Sequence, residues 1–207
     1  MGLFNFLKNL AVGTPEPHPG KQGGFGLAMN SAETQIERQK NALMLDLLEA
    51  AISKSGYFIP EKIPQLMSTF RAASHPFARM DTKAAEKGST LLTKEQKIAL
   101  GLNTRMKYTA EFITYFKPAA LKRIEPKGTL FSMQIDAFHR ASRRFEIIKF
   151  KKMGFIERVK IAPVGGCKKV QRIKKTYNID EVPELPLPGC DEECHCYYEA
   201  VIPSRFT

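Results

Sequence analysis

The 207 residues contain no apolar run long enough to span a bilayer, so an integral membrane protein is not expected. The start, "MGLFNFLKNLAVG", lacks both the sustained apolar core and the small-residue cleavage site of a signal peptide. Cysteine is scarce. Four residues without an export signal point to a reducing compartment, where thiols stay free or bind metal. Catalytic signatures are also missing: there is no G-x-S-x-G, Walker loop, H-E-x-x-H or G-x-G-x-x-G. "GKQGGFG" is glycine-rich, but no strand precedes it and no Lys-Ser/Thr follows. His18, His75, His139 and His195 fall in no catalytic pattern, and Cys194 has Glu192 and Glu193 beside it, which oppose thiolate formation. An enzyme is not expected.

What is present is the composition of a folded chain, 43% hydrophobic and 26% charged, with room for one domain or two small ones. The net charge of +11 is concentrated in one block. Between His139 and Lys175 stand 13 Lys/Arg: Arg140, Arg143, Arg144, Lys149, Lys151, Lys152, Arg158, Lys160, Lys168, Lys169, Arg172, Lys174 and Lys175. Only Glu146 and Glu157 oppose them, so this span carries the whole +11. The sign then reverses through Asp180, Glu181, Glu184, Asp191, Glu192, Glu193 and Glu199. Such a basic block suits a polyanion, because neutralised phosphates release counterions. The alternative is a solvated face paired with the acidic stretch that follows. For the polyanion reading the contact residues are Arg140, Arg143, Arg144, Lys149, Lys151, Lys152, Lys168, Lys169, Arg172, Lys174 and Lys175.

Periodicity gives the plan. Residues 1–12 read as a short amphipathic peptide (Leu3, Phe4, Phe6, Leu7, Leu10), and 13–29 as a Gly/Pro linker. Phe6 stands where a myristoylation motif wants Ser or Thr, so the peptide reads as a docking segment. A helix is expected after an Asn30/Ser31 cap, with Ile36, Leu43, Leu45, Leu47, Leu48, Ala51 and Ile52 as its stripe and Gly56 as its stop. A second helix is expected over Pro60–Ala73, followed by a loop. The capping box "TKEQ" (Thr93, Gln96) opens another segment, broken near Gly101 and Asn103 and bounded by Pro118. A long helix is expected from Thr129 to Met153, ended by Gly154. Phe131, Ile135, Phe138, Phe145, Ile148 and Phe150 should face inward, with Arg140, Arg143 and Arg144 pointing elsewhere. Strands are expected in "FIERVKIAPV", "VQRIKKTYNI" and "CYYEAVIP". The fold class is α+β: a mostly helical N-terminal part, then a small C-terminal module with a long basic helix and a short antiparallel sheet. The units are 1–29, 30–125 and 126–207.

Cys190, Cys194, His195 and Cys196 lie within seven positions, and Cys167 sits on a glycine turn some two dozen residues earlier. Thiolates of Cys167, Cys190, Cys194 and Cys196 would make a tetrahedral structural zinc site, with His195 as a substitute ligand. Against a standard ribbon, Val170 stands where the first knuckle wants its second cysteine, and C-x-C is tighter than a usual knuckle. Free thiols and a disulfide are the other two readings.

From Ala137 to Pro203 the chain resembles the C-terminal domain of phage Mu F-like head morphogenesis proteins. The residues that carry the likeness are "FHRASRRFEIIKFKKMGFIERVKIAP" for helix, stop and strand, "GGCKKV" at the turn, "YNIDEVPELPLPG" at the approach and "DEECHCYYEAVIP" at the close. Cys167 matches the first turn cysteine, and Cys194 and Cys196 match the C-x-C pair. Val170 and Asp191 depart from the pattern, and Cys190 is an extra cysteine available to compensate. The resemblance implies a few-copy structural component of a tailed-phage or prophage head, in the virion or the host cytoplasm. Its implied partners are portal or capsid proteins and packaged DNA, within a larger oligomeric assembly. Two other classes fit the residues alone: a small nucleic-acid-binding regulator with a zinc-like site, and an interaction domain whose N-terminal peptide reaches a membrane surface.

Overall fold

The computed structural model describes residues 31–73, 85–88, 90–164, 167–173, 175–190 and 194–202. The N-terminal peptide and linker, Asn30, residues 74–84, Ser89, the Gly165–Gly166 turn, Lys174, the acids at 191–193 and residues 203–207 lie outside the described residues. The architecture is α+β, helical first and then a small three-stranded antiparallel sheet. No described helix is long and apolar enough to cross a membrane.

Helix α1 (Ser31–Ser55) buries Met44, Leu45, Leu48 and Ile52, and it ends at Gly56, as the periodicity predicts. After the 3-10 turn Pro60–Lys62, helix α2 (Ile63–Ala73) adds Leu66, Met67 and Phe70 to the same core. Helix α3 (Lys94–Leu100) opens on the predicted capping box. The Gln96 backbone N–H donates to Thr93 Oγ1 at 3.2 Å, and the Thr93 N–H donates to Gln96 Oε1 at 2.8 Å. Beyond Gly101 the chain forms only two single turns, α4 (Ala110–Ile113) and α5 (Pro118–Leu121). These turns hold Phe112 and Phe116 in the centre of the core. The Phe116 ring lies 4.6 Å from that of Phe58 and 5.2 Å from that of Phe112. Backbone bonds from Ile59 N–H to the Tyr115 carbonyl and from Lys117 N–H to the Tyr57 carbonyl, each 2.9 Å, tie the two segments together.

Helix α6 (Pro126–Met153) begins three residues before the expected Thr129. The reason is Glu125, whose carboxylate accepts from the N–H groups of Lys127 (3.2 Å) and Gly128 (2.5 Å) while Pro126 supplies the first helical φ. The same carboxylate accepts a 2.6 Å bond from the buried Tyr108 hydroxyl. Glu125→Ala should therefore remove a cap and orphan a buried hydroxyl. A loss of about 2 kcal/mol is expected from equilibrium denaturation.

The long helix carries two apolar stripes, not one. Leu130, Gln134, Ala137 and Ala141 are buried toward the helical core, against α1. Arg143, Ile147 and Phe150 lie about half a turn round, since each residue advances about 100°. Ile147 and Phe150 pack on the C-terminal module. Two expectations are corrected here. Phe131 is 53% exposed because it lies between the stripes, and Arg143 is 5% exposed because it belongs to the second stripe.

Gly154 ends α6 with φ 72°, a left-handed conformation that a side chain resists. Strand β1 (Arg158–Ala162) follows and alternates, with Val159 and Ile161 buried and Arg158 and Lys160 exposed. It is the middle strand. β2 (Thr176–Asn178) pairs on one side with Val159 opposite Tyr177, and β3 (Tyr197–Val201) on the other with Ile161 opposite Tyr198. "VQRIKKTYNI" supplies only β2 as strand, because Lys168–Gln171 is a single helical turn, α7.

Candidate metal centre

All four cysteines converge. The pairing of Ala162 with Tyr197 at the end of the sheet sets the segment after β1 beside the segment before β3. The first carries Cys167 at the head of α7, and the second carries Cys194 and Cys196. The Sγ atoms of Cys167, Cys194 and Cys196 all lie within 4.8 Å of one another. Cys190 joins from the side: its Sγ is 3.9 Å from that of Cys167, and it also interacts with Cys194. All four are free thiols.

The tight C-x-C spacing has a simple cause. Extended backbone alternates faces, so Cys194, Cys196 and Tyr198 point inward while His195 and Tyr197 point out. Two sulfurs thus enter from one strand approach without a knuckle. His195, the substitute ligand of the sequence reading, is exposed and stands edge-on to His139 at 4.8 Å between ring centroids. It is not part of the described donor group.

The missing second turn cysteine is also accounted for. Val170 is buried at 1% exposure in the module core, next to the sulfurs and not in place of one. Cys190 reaches the cluster from another direction, through a turn in which its N–H bonds the Leu187 carbonyl at 2.9 Å. Gly189 makes that turn with φ 77°, and a Cβ there would come within 2.9 Å of Lys169 Nζ. Behind the cluster, the Tyr198 hydroxyl donates to the Pro183 carbonyl (2.9 Å) and accepts from the Leu185 N–H (3.0 Å), tying the proline-rich approach to β3.

Backbone N–H groups approach two of the sulfurs. Cys167 Sγ meets the backbone N–H groups of Val170 and Lys169, and the first of these is the main influence lowering its pKa. Val164 places a backbone N–H at Cys196 Sγ. Burial works in the opposite direction on the others: it raises the Cys190 thiol and pushes Cys196 up to about 12. In a tetrahedral centre with metal–sulfur bonds of about 2.3 Å the sulfurs stand about 3.8 Å apart. The 3.9 Å between Cys167 and Cys190 therefore fits one edge of such a centre. The residues present can hold a metal ion.

The basic block divides. Arg143 is buried, and its Nη2 donates to the carbonyl oxygen of Cys194, so it is removed from the set that could face a polyanion. Arg144 pairs with Glu184 (2.5 Å), Lys151 with Asp180 (2.6 Å) and Arg140 with Asp136 (2.7 Å). The acidic stretch thus folds back on part of the block, although exposed pairs of this kind contribute about 1 kcal/mol or less. Lys149, Lys152, Lys168, Lys169, Arg172 and Lys175 remain exposed. Lys174 lies outside the described residues.

Comparison with family models, with curated proteins and with solved structures gives no match for this chain.

Proposed function

We propose that this chain is a non-enzymatic structural protein of a tailed-phage or prophage head, associated with portal or capsid, whose C-terminal module is held together by zinc. The observation that carries the reading is the meeting of Cys167 with Cys194 and Cys196, some two dozen residues further on, with Cys190 Sγ 3.9 Å from Cys167 at the side of the group. That meeting supplies four donors despite Val170, in the strand–turn–approach–C-x-C–strand order of the resemblance. Soft thiolate donors in a closed, partly buried set favour zinc over harder cations. When bound, zinc would link three segments and contribute its binding energy to folding. The protein's own residues position the sulfurs: Gly189 makes the turn for Cys190, Val164 and Val170 offer N–H groups, and Ala162 opposite Tyr197 brings the two segments together.

The test is association. An antibody to this chain should find it in purified heads, and co-expressed portal rings should retain it. Absence from both would remove the head assignment while leaving the metal centre intact.

The second reading, a nucleic-acid-binding regulator, is favoured by the exposed Lys149, Lys152, Lys168, Lys169, Arg172 and Lys175. For either reading the polyanion contact is measurable. Affinity for random duplex DNA should fall log-linearly with salt, and the triple variant Lys168→Glu/Lys169→Glu/Arg172→Glu should flatten the slope by about 3. A flat salt dependence in the parent protein would end the polyanion idea.

A further inference from the structure

Among the described residues, Arg143 is the one buried cation, and the zinc reading leaves it unused. It is 5% exposed, and its Nη2 donates to the Cys194 carbonyl. Its Nη1 is buried with no hydrogen-bond partner among the described residues. A guanidinium does not deprotonate in proteins, so burial cannot be relieved by losing the charge. An unpaired buried charge costs several kcal/mol, and a compensating anion is required nearby. Glu146, one turn along α6, is close enough to sense Arg143, and its carboxylate also accepts from the backbone N–H of Tyr198. Among the described residues, the guanidinium behind the C-x-C pair therefore keeps a buried N–H group without an acceptor.

A dication bound by four thiolates is a dianion, and one of its ligands would be the side chain of the same Cys194 whose carbonyl Arg143 holds. We infer that Arg143 is the positioning residue of the metal centre: it holds the Cys194 carbonyl, and so the C-x-C segment, and it supplies the buried positive charge that a tetrathiolate centre requires. The inference rests on the zinc reading and extends it to a residue that is not a ligand. It also explains why an arginine occupies a stripe otherwise filled by Ile147 and Phe150. Metal-site groups of this kind typically change affinity by about ten- to a hundredfold when altered.

The experiment is zinc competition against a chromophoric chelator on the full chain, with cobalt spectra as a check on tetrahedral thiolate geometry. It compares the parent with Arg143→Gln, which keeps a donor but not the charge, and Arg143→Lys, which keeps the charge. The glutamine variant should bind about ten- to a hundredfold more weakly. The lysine variant should stay within about threefold of the parent, since charge outweighs fork geometry here. Parent-like affinity in Arg143→Gln overturns the inference, and so does an equal loss in both variants. If Arg143→Gln does not fold at saturating zinc, Arg143→Lys decides alone by the same threefold criterion. A parent that binds no zinc removes the zinc reading and this inference together. A parent that binds zinc beside an unaffected Arg143→Gln removes only the inference.

Discussion

Stripping zinc from the full chain is expected to unfold the C-terminal module while the helical core stays folded. Metal analysis should find one zinc per chain before chelation and about none after it, or in Cys196→Ser. The expectation follows from how little holds the module otherwise. Its main apolar cluster is Ile161, Val170, Leu185, Leu187, Cys194, Cys196 and Tyr198, and two of those seven are the sulfurs themselves. Its sheet has one five-residue strand on each side of the pairing that matters and a three-residue edge. A unit this small rarely folds without a metal, a disulfide or a partner, and no disulfide is formed. Structural zinc contributes on the order of 10 kcal/mol or more to folding in small metal domains. Limited proteolysis reads the result directly: after chelation, cleavage should concentrate between Gly154 and Ile202 and spare the segment from Met44 to Phe70. Reduced protein that carries no metal, or a protease pattern unchanged by chelator, would overturn the zinc reading.

Local signals were legible in the chain and non-local ones were not. Gly56, the Thr93–Gln96 capping box, Gly154 and the alternation of β1 each rest on a few neighbouring residues, and each is found where the pattern places it. The start of α6 differs from the expected Thr129 because Glu125 caps it, a carboxylate outside the short Ser/Thr/Asp/Asn set. Arg143 and Phe131 were misplaced because a single-stripe reading averages two faces, one turned to the helical core and one to the sheet. That division is made by what packs on the helix, which no helical period reveals. The cysteines are visible as a group in the sequence, but the approach of Cys190 to Cys167 depends on the Leu187–Cys190 turn, and that of Cys194 and Cys196 on cross-strand register. The sequence leaves the block open to a polyanion or to the acidic stretch after it, and Asp180 and Glu184 pair with Lys151 and Arg144 on α6, as the second alternative expects for part of the block.

Phe116→Ala should destabilise the helical core by about 3–5 kcal/mol, whereas Phe131→Ala should change stability by no more than about 0.5 kcal/mol. Both are phenylalanines that the apolar pattern alone would not separate, and their environments decide the difference. Phe116 is 2% exposed, lies between the rings of Phe58 and Phe112, and sits where the Phe58–Phe116 bridge joins two parts of the chain. Its removal leaves a cavity whose walls are fixed by the bonds of Ile59 and Lys117 on either side, so collapse is limited. Phe131 projects between the two stripes of α6 and already meets solvent. Denaturant titration of both variants at saturating zinc measures the contrast, and equal losses would mean that α6 is rotated from the arrangement described. The same samples test how far the two parts of the fold depend on each other. Helix α6 lines the helical core with Leu130, Ala137 and Ala141 and the module with Ile147 and Phe150, so it is common to both. Since Phe116 touches only the first, Phe116→Ala should keep its zinc at one per chain under native conditions. Loss of the metal would show that the module folds only on an intact helical core.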